Sequence, residues 1–284
     1  MDRQSKHSQS AMRIAAFIMF SISLARIPQG NRVSALSNGG EPQRLPFPQL
    51  VAFLDEDGRQ FCGGSILNER YVLTAAHCTG ERMKSGLVYA GLSWLGDTTI
   101  APPVVQKSEL ENITVHPGYK SSERNPRLND IAIVELTTEF SYFTDDEEKI
   151  QPVQLYRDDF FTYDDSHLAV ELYGFGRTAV NQPANTNKNL YRVDTVVVPR
   201  HKCLSPRTQI CTDARGRSVL DGDSGGPVII YRRNPSTRNV DTMQLGIIIA
   251  AHDRNQNVPN IHTRASSFCS WIEANTPRKP FSCS

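Results

Sequence analysis

Short apolar and β-branched runs, each closed by turn-forming residues, recur along most of the chain. Leu50 to Leu54, Gly64 to Leu67, Tyr71 to Thr74, Ile131 to Leu136, Tyr191 to Val198, Val228 to Tyr231 and Leu245 to Ala250 all have strand length. No helical period separates them, so the pattern predicts antiparallel β-structure, a sandwich or barrel, rather than a parallel sheet with crossover helices. One helix is predicted, at the end. Phe268, Trp271 and Ile272 fall at i, i+3 and i+4, Ser266 can cap the first turn, and Pro277 and Pro280 stop it. Asn181 to Asn189, rich in Asn, Thr and Pro, reads as an exposed loop. The acidic runs Asp145 to Glu148 and Asp158 to Asp165 read as solvated loops, because they lack the alternate-residue spacing of a calcium loop.

Only one segment is apolar without strand punctuation. Ile14 to Ala25 follows Arg3, Lys6 and Arg13 and ends in Ser23-Leu24-Ala25. A positive flank, a short apolar stretch and small residues at a cut site describe a secretory signal peptide, predicted over residues 1–25. Spanning a bilayer takes about 20 apolar residues, and Arg26 closes this run early. Composition agrees with a folded body: 284 residues, 39% hydrophobic and 21% charged. Lys plus Arg (31) balances Asp plus Glu (30), so no global field draws the chain to nucleic acid or an acidic membrane. Beyond residue 32 the balance is 26 basic against 29 acidic groups, a net −3. The sequon Asn112-Ile113-Thr114 fits a secreted protein as a glycosylation site.

Six cysteines (Cys62, Cys78, Cys203, Cys211, Cys269, Cys283) contain no C-x-x-C, and the adjacent histidine His77 directly precedes Cys78. That disfavours a metal site and suits disulfides in an oxidising compartment; the count leaves the pairing open.

Three segments carry candidate chemistry: Leu73-Thr74-Ala75-Ala76-His77-Cys78, Leu128-Asn129-Asp130-Ile131-Ala132, and Asp221-Gly222-Asp223-Ser224-Gly225-Gly226-Pro227. A serine hydroxyl needs a base to become a nucleophile, and histidine, with an ordinary pKa near 6.5, can take and return a proton near neutrality. At these residues the chain resembles the chymotrypsin-like serine proteases, in the family's order of His77, Asp130 and Ser224. Gly174-Phe175-Gly176 stands where that family usually has Gly-Trp-Gly.

The resemblance covers roughly Leu36 to Asn275 and implies an all-β fold of two antiparallel β-barrels with a C-terminal helix. His77 and Asp130 are expected on the first barrel, Ser224 on the second, and the barrels divide near 155–165. Ser224 is the implied nucleophile, His77 the general base and acid, and Asp130 the orienting carboxylate. The N–H groups of Gly222 and Ser224 form the implied oxyanion hole. Family precedent pairs Cys62 with Cys78 and Cys203 with Cys211. Cys269 and Cys283 are left over, to pair with each other if the chain folds back after the helix, or else between molecules.

A short prosegment is expected over residues 26–35. Cleavage there frees an ammonium that pairs with Asp223, at Val33 if the cut follows Arg32, or at Leu36 if it follows Ala35. Residues 36–276 form the expected peptidase domain and 277–284 a tail. No cofactor or metal is implied. The implied partners are protein or peptide substrates, an activating protease and protein inhibitors, with the chain a monomer and neither nucleic acid nor membrane involved.

Departures from the family pattern concern the specificity side of the site. Leu220 stands where a cysteine is usual, and no partner cysteine occurs in His252 to Pro259. Ile249 cannot offer the hydroxyl that usually bonds the catalytic aspartate, and Ala250 replaces a groove-lining tryptophan. Ser218 at the pocket floor, with Ala251 and Asn260 on its walls, points to a narrowed pocket for small or medium apolar side chains. These departures also raise a rival reading, a non-catalytic protease homologue that binds or regulates other proteins.

Overall fold

In the computed structural model, which describes residues 41–44, 46–96, 105–122, 125–142, 150–157, 168–179, 182–183, 187–203, 206–215, 218–234, 236–250, 258–281 and 283, the apolar runs form strands and draw more polar runs in beside them. The signal and prosegment boundaries, Val33, Leu36, Ala251, both acidic runs and most of the 155–165 division lie outside the described residues. In chain order the strands are β1 (Glu41–Pro42), β2 (Leu50–Leu54), β3 (Gln60–Ile66), β4 (Tyr71–Thr74), β5 (Leu87–Ala90), β6 (Gln106–Ser108), β7 (Leu110–Val115), β8 (Lys120–Ser122), β9 (Asn125–Leu128), β10 (Ala132–Leu136), β11 (Gln154–Leu155), β12 (Ala169–Gly174), β13 (Tyr191–Val196), β14 (Gln209–Thr212), β15 (Pro227–Arg233), β16 (Val240–Ala250) and β17 (Asn260–Arg264). Among the described residues the short α-helices are α1 (Glu81–Lys84), α2 (Arg200–Cys203) and α3 (Cys269–Ala274).

The first sheet has the order β6-β5-β2-β3-β4-β10-β7. Its two outer strands, β6 and β7, are separated in the chain by Glu109 alone, so the sheet must curl until its edges meet. β2 is buried at all five positions, which is why it reads as a continuous apolar run rather than an alternating one. The second sheet runs β1-β13-β12-β15-β16-β17-β14, with β11 added in parallel against β16. It closes where the bridge Val197–Thr212 joins the end of β13 to the end of β14, supported by Val198 N–H to the Cys211 carbonyl at 2.9 Å and Asp213 N–H to the Val196 carbonyl at 3.0 Å. β8 and β9 form a separate hairpin. The fold is thus two curled antiparallel sheets, each wrapped on itself.

One core fills the first barrel (Val51, Ile66, Leu73, Ile133) and continues through Phe47, stacked on Tyr173 at 3.9 Å, onto the outer face of the second. The other fills the second barrel with Leu172, Val193, Ile210, Val228 and Leu245. Between the barrels Ser65 Oγ donates to Gln244 Oε1 at 2.6 Å in a buried contact.

The ends of the described chain cross over. β1 pairs with β13 of the second sheet. After α3 the tail returns to the first barrel: Asn68 Nδ2 donates to the Lys279 carbonyl at 2.6 Å, and Arg278 reaches Glu111 at 2.6 Å. The disulfide Cys269–Cys283 closes this return, so the chain does fold back after the helix. The helix itself differs from the expected start. Residues Ala265–Phe268 form a 3-10 turn, α3 begins at Cys269, and neither start carries a side-chain cap, so Ser266 lies inside the turn and caps nothing. Packing fixes this end instead: Phe268 and Ile272 are buried, and His116 of the first barrel sits edge-on to both Phe268 and Trp271 at 5.1 Å.

Candidate active site

His77 sits in a 3-10 turn, Ala76–Cys78, directly after β4. The disulfide Cys62–Cys78 ties this turn to β3. Asp130 lies between β9 and β10 and is fully buried. Its carboxylate takes two bonds from one residue: the His77 main-chain N–H reaches Oδ1 at 2.9 Å, and the ring Nδ1 lies 2.7 Å from Oδ2. Holding both backbone and ring of His77 fixes the ring plane and leaves Nε2 as the nitrogen away from the carboxylate. Thr263 Oγ1, from β17, donates to the Asp130 carbonyl at 2.8 Å, anchoring this loop to the second barrel.

Ser224 lies in the turn before β15, and its carbonyl accepts the Gly63 N–H of β3 at 2.7 Å. His77 and Ser224 line one cleft of about 410 Å³ together with Gly222, Asp221 and Arg127. Gly222 has φ +98°, a backbone conformation that a residue with Cβ adopts only with strain. Its carbonyl is held at 2.7 Å by Nε2 of the buried Gln60, from the first barrel. Gln60 was not legible as a site residue: the contact spans 162 positions, and nothing in the run around it signals that reach.

Asp223 points away from the cleft and is fully buried. The N–H groups of Gly176 and Leu220 each donate to it at 2.9 Å, yet burial outweighs them, with Asp221 adding to it, and its pKa is pushed up to about 7. Among the described residues no cation pairs with it. Gly174 and Gly176 leave it room: a Cβ on either would stand 2.2 or 2.5 Å from its carboxylate. Asn187 reinforces the wall from behind, donating to the Gly176 carbonyl at 3.0 Å. Asn187 is buried, so the 181–189 segment is not an exposed loop at that end; its carboxamide satisfies backbone groups there, bonding both N–H and C=O of Asn189.

A family model described as Trypsin matches residues 37–272. The chain belongs to the trypsin family. Chymotrypsin-2 of Vespa crabro is 32% identical over 244 residues, covering 84% of this chain and 98% of that one. A venom serine protease of Polistes dominula is 27% identical over 251 residues, 84% of each chain. The solved structure of human heparin binding protein has the same fold, with a TM-score of 0.67 and 21% identity over 86% of this chain and 98% of the other.

In this trypsin-family chain the structure places the residues on the specificity side as follows. Among the described residues no hydroxyl reaches the Asp130 carboxylate; Ile249 is a buried apolar side chain. Ser218 and Asn260 are brought together, both buried: Ser218 Oγ lies 3.0 Å from Asn260 Oδ1, which also accepts the Val219 N–H at 3.4 Å. The polar chain continues from Asn260 Nδ2 to Thr212 Oγ1 (3.4 Å) and on to His262 Nε2 (2.9 Å). Neither Ser218 nor Asn260 lines the cleft that holds Ser224. Leu220 is buried. The Cys62 and Cys78 sulfurs and His77 lie within 4.8 Å of one another, but both sulfurs are spent in the disulfide and offer no thiolate to a metal. Cys203 is bonded to Cys211, and Asn112 is exposed on β7.

Proposed function

We propose that this trypsin-family protein is a secreted serine endopeptidase that cleaves peptide bonds through an acyl-enzyme on Ser224. Ser224 Oγ attacks the scissile carbonyl as His77 Nε2 accepts its proton. Asp130 holds the Nδ1–H tautomer and stabilises the imidazolium. The Gly222 and Ser224 N–H groups receive the oxyanion, each such donor lowering the barrier by roughly 3–4 kcal/mol. His77 then returns the proton to the leaving amine, and water repeats the sequence to release the acid. No cofactor enters.

The observation that carries this reading is His77, doubly bonded to the buried Asp130 and lining one cleft with Ser224. Residues 1–25 serve as signal peptide, 26–35 as prosegment, 36–276 as peptidase domain and 277–284 as its tail. Activation cleavage supplies the ammonium that the buried Asp223 carboxylate lacks, whether from Val33 or Leu36. With no charge at Ser218 or Asn260, small or medium apolar side chains suit the primary pocket.

The deciding experiment treats processed protein with a fluorophosphonate probe beside Ser224→Ala. Labelling that requires Ser224 is expected. Folded, processed protein that does not label overturns the reading and favours a binding homologue.

A further inference from the structure

Among the described residues four charged side chains line the cleft, and three are already matched. Glu81 pairs with Lys84 at 2.6 Å, Arg82 with Asp55 at 2.9 Å, and Asp221 with Arg177. The fourth, Arg127, has no carboxylate within ion-pair distance among the described residues. Its Nη1 donates to the Ile249 carbonyl across the barrel boundary. A neutral carbonyl leaves the charge uncompensated, and a guanidinium has five N–H donors, so several remain for a second acceptor. After these pairs are matched, one positive charge is left, among the described residues, on the wall that His77 and Ser224 share.

The backbone fixes where that charge sits. Arg127 has φ +39°, a strained conformation for a residue with a side chain, and its own carbonyl accepts Gln209 Nε2 from β14 at 3.3 Å. Asn129, two residues on, is also left-handed at φ +50°, and its Nδ2 donates to the Gly118 carbonyl at 2.8 Å. The guanidinium is therefore launched from a segment held at both barrels and steadied at its tip by Ile249. A concave wall of low dielectric concentrates the field of such a cation. Its planar fork matches a carboxylate in two parallel hydrogen bonds.

We infer that Arg127 is a specificity-determining residue, selecting peptides that carry an acidic side chain within a residue or two of the bond presented to Ser224. This rests on the reading of Ser224 as nucleophile. The carboxylate engages the free guanidinium N–H groups while the Ile249 carbonyl keeps its own. Asp221 and Glu81, held by Arg177 and Lys84, do not compete for Arg127.

The test compares processed protein on peptide pairs differing only as Asp against Asn, scanned through each position on both sides of the scissile bond. At one position Asp is expected to exceed Asn by about tenfold in kcat/KM. That ratio falls below about twofold in Arg127→Gln, is partly kept in Arg127→Lys, and inverts to favour Asn over Asp in Arg127→Glu. The wild-type ratio shrinks as salt rises from about 0.05 to 0.5 M. Binding of the same pairs to Ser224→Ala gives the comparison without turnover, so absent cleavage overturns the reading of Ser224 alone. Equal binding of Asp and Asn peptides at every position overturns the role of Arg127, as does an Asp preference that survives in Arg127→Gln with unchanged melting temperature.

Discussion

Replacing His262 by Gln should make stability less sensitive to acid, by an amount the structure sets. His262 is fully buried in β17 between β14 and β16, with Nε2 2.9 Å from Thr212 Oγ1 and no partner for Nδ1 among the described residues. Burial disfavours the imidazolium and pushes its pKa from 6.5 down to about 3. A depressed folded-state pKa means the stabilising contribution is complete above 6.5 and is lost as pH falls toward 3. Between pH 8 and 5 the loss covers about 1.5 pH units, or about 2 kcal/mol at 1.36 kcal/mol per unit.

Asp223 acts in the opposite sense. Raised from 3.8 to about 7, it favours folding most at low pH and loses that advantage as pH rises through 7. The two slopes largely cancel in the wild type, so its own pH profile is uninformative. The difference between wild type and His262→Gln removes the Asp223 contribution. Urea unfolding at pH 8 and pH 5, disulfides intact, should show the variant gaining about 2 kcal/mol relative to wild type on acidification. A difference that stays constant within about 0.5 kcal/mol between the two pH values refutes the burial argument.

Three further outcomes follow from other contacts. Gln60→Met removes the 2.7 Å hold on the Gly222 carbonyl and should lower kcat about tenfold with little change in KM, read by steady-state kinetics on a cleaved peptide. Gly176→Ala drives a Cβ to 2.5 Å from the Asp223 carboxylate; a stability loss of about 2 kcal/mol or more and slower fluorophosphonate labelling are expected, whereas wild-type behaviour in both refutes the packing reading. The double variant Cys269→Ser, Cys283→Ser opens a loop of separation 14 and should cost about 3 kcal/mol in denaturant melts.

Much of the fold was legible because the apolar strands are buried on both faces and stand out as runs. β2, β4 and β10 are of this kind. Polar strands such as β6 (QKS), β9 (NPRL) and β17 (NIHTR) escaped notice, and so did the short apolar strands β5 (LVYA), β12 (AVELYG) and β14 (QICT). In β14 and β17, Thr212, Asn260 and His262 are buried because they satisfy one another, a pairing that no local pattern reveals. The same limit applies at the site. His77, Asp130 and Ser224 lie in short motifs that can be read one at a time. Gln60, Arg127 and Asn187 act through single side chains reaching distant backbone, so only the folded chain brings them to Gly222, Ile249 and Gly176.

The crossing ends described above carry a mechanical consequence. β1 belongs to the barrel built from later sequence, and the tail after α3 is moored to the barrel built from earlier sequence. The disulfides Cys62–Cys78, Cys203–Cys211 and Cys269–Cys283 each close within one half, so none couples the halves covalently. A polypeptide severed between them would therefore separate into two pieces in detergent without reductant. In native buffer each piece would still grip the other by an exchanged terminus, so that the halves behave as clasped hands, and any rotation that widened the cleft would have to loosen both grips at once.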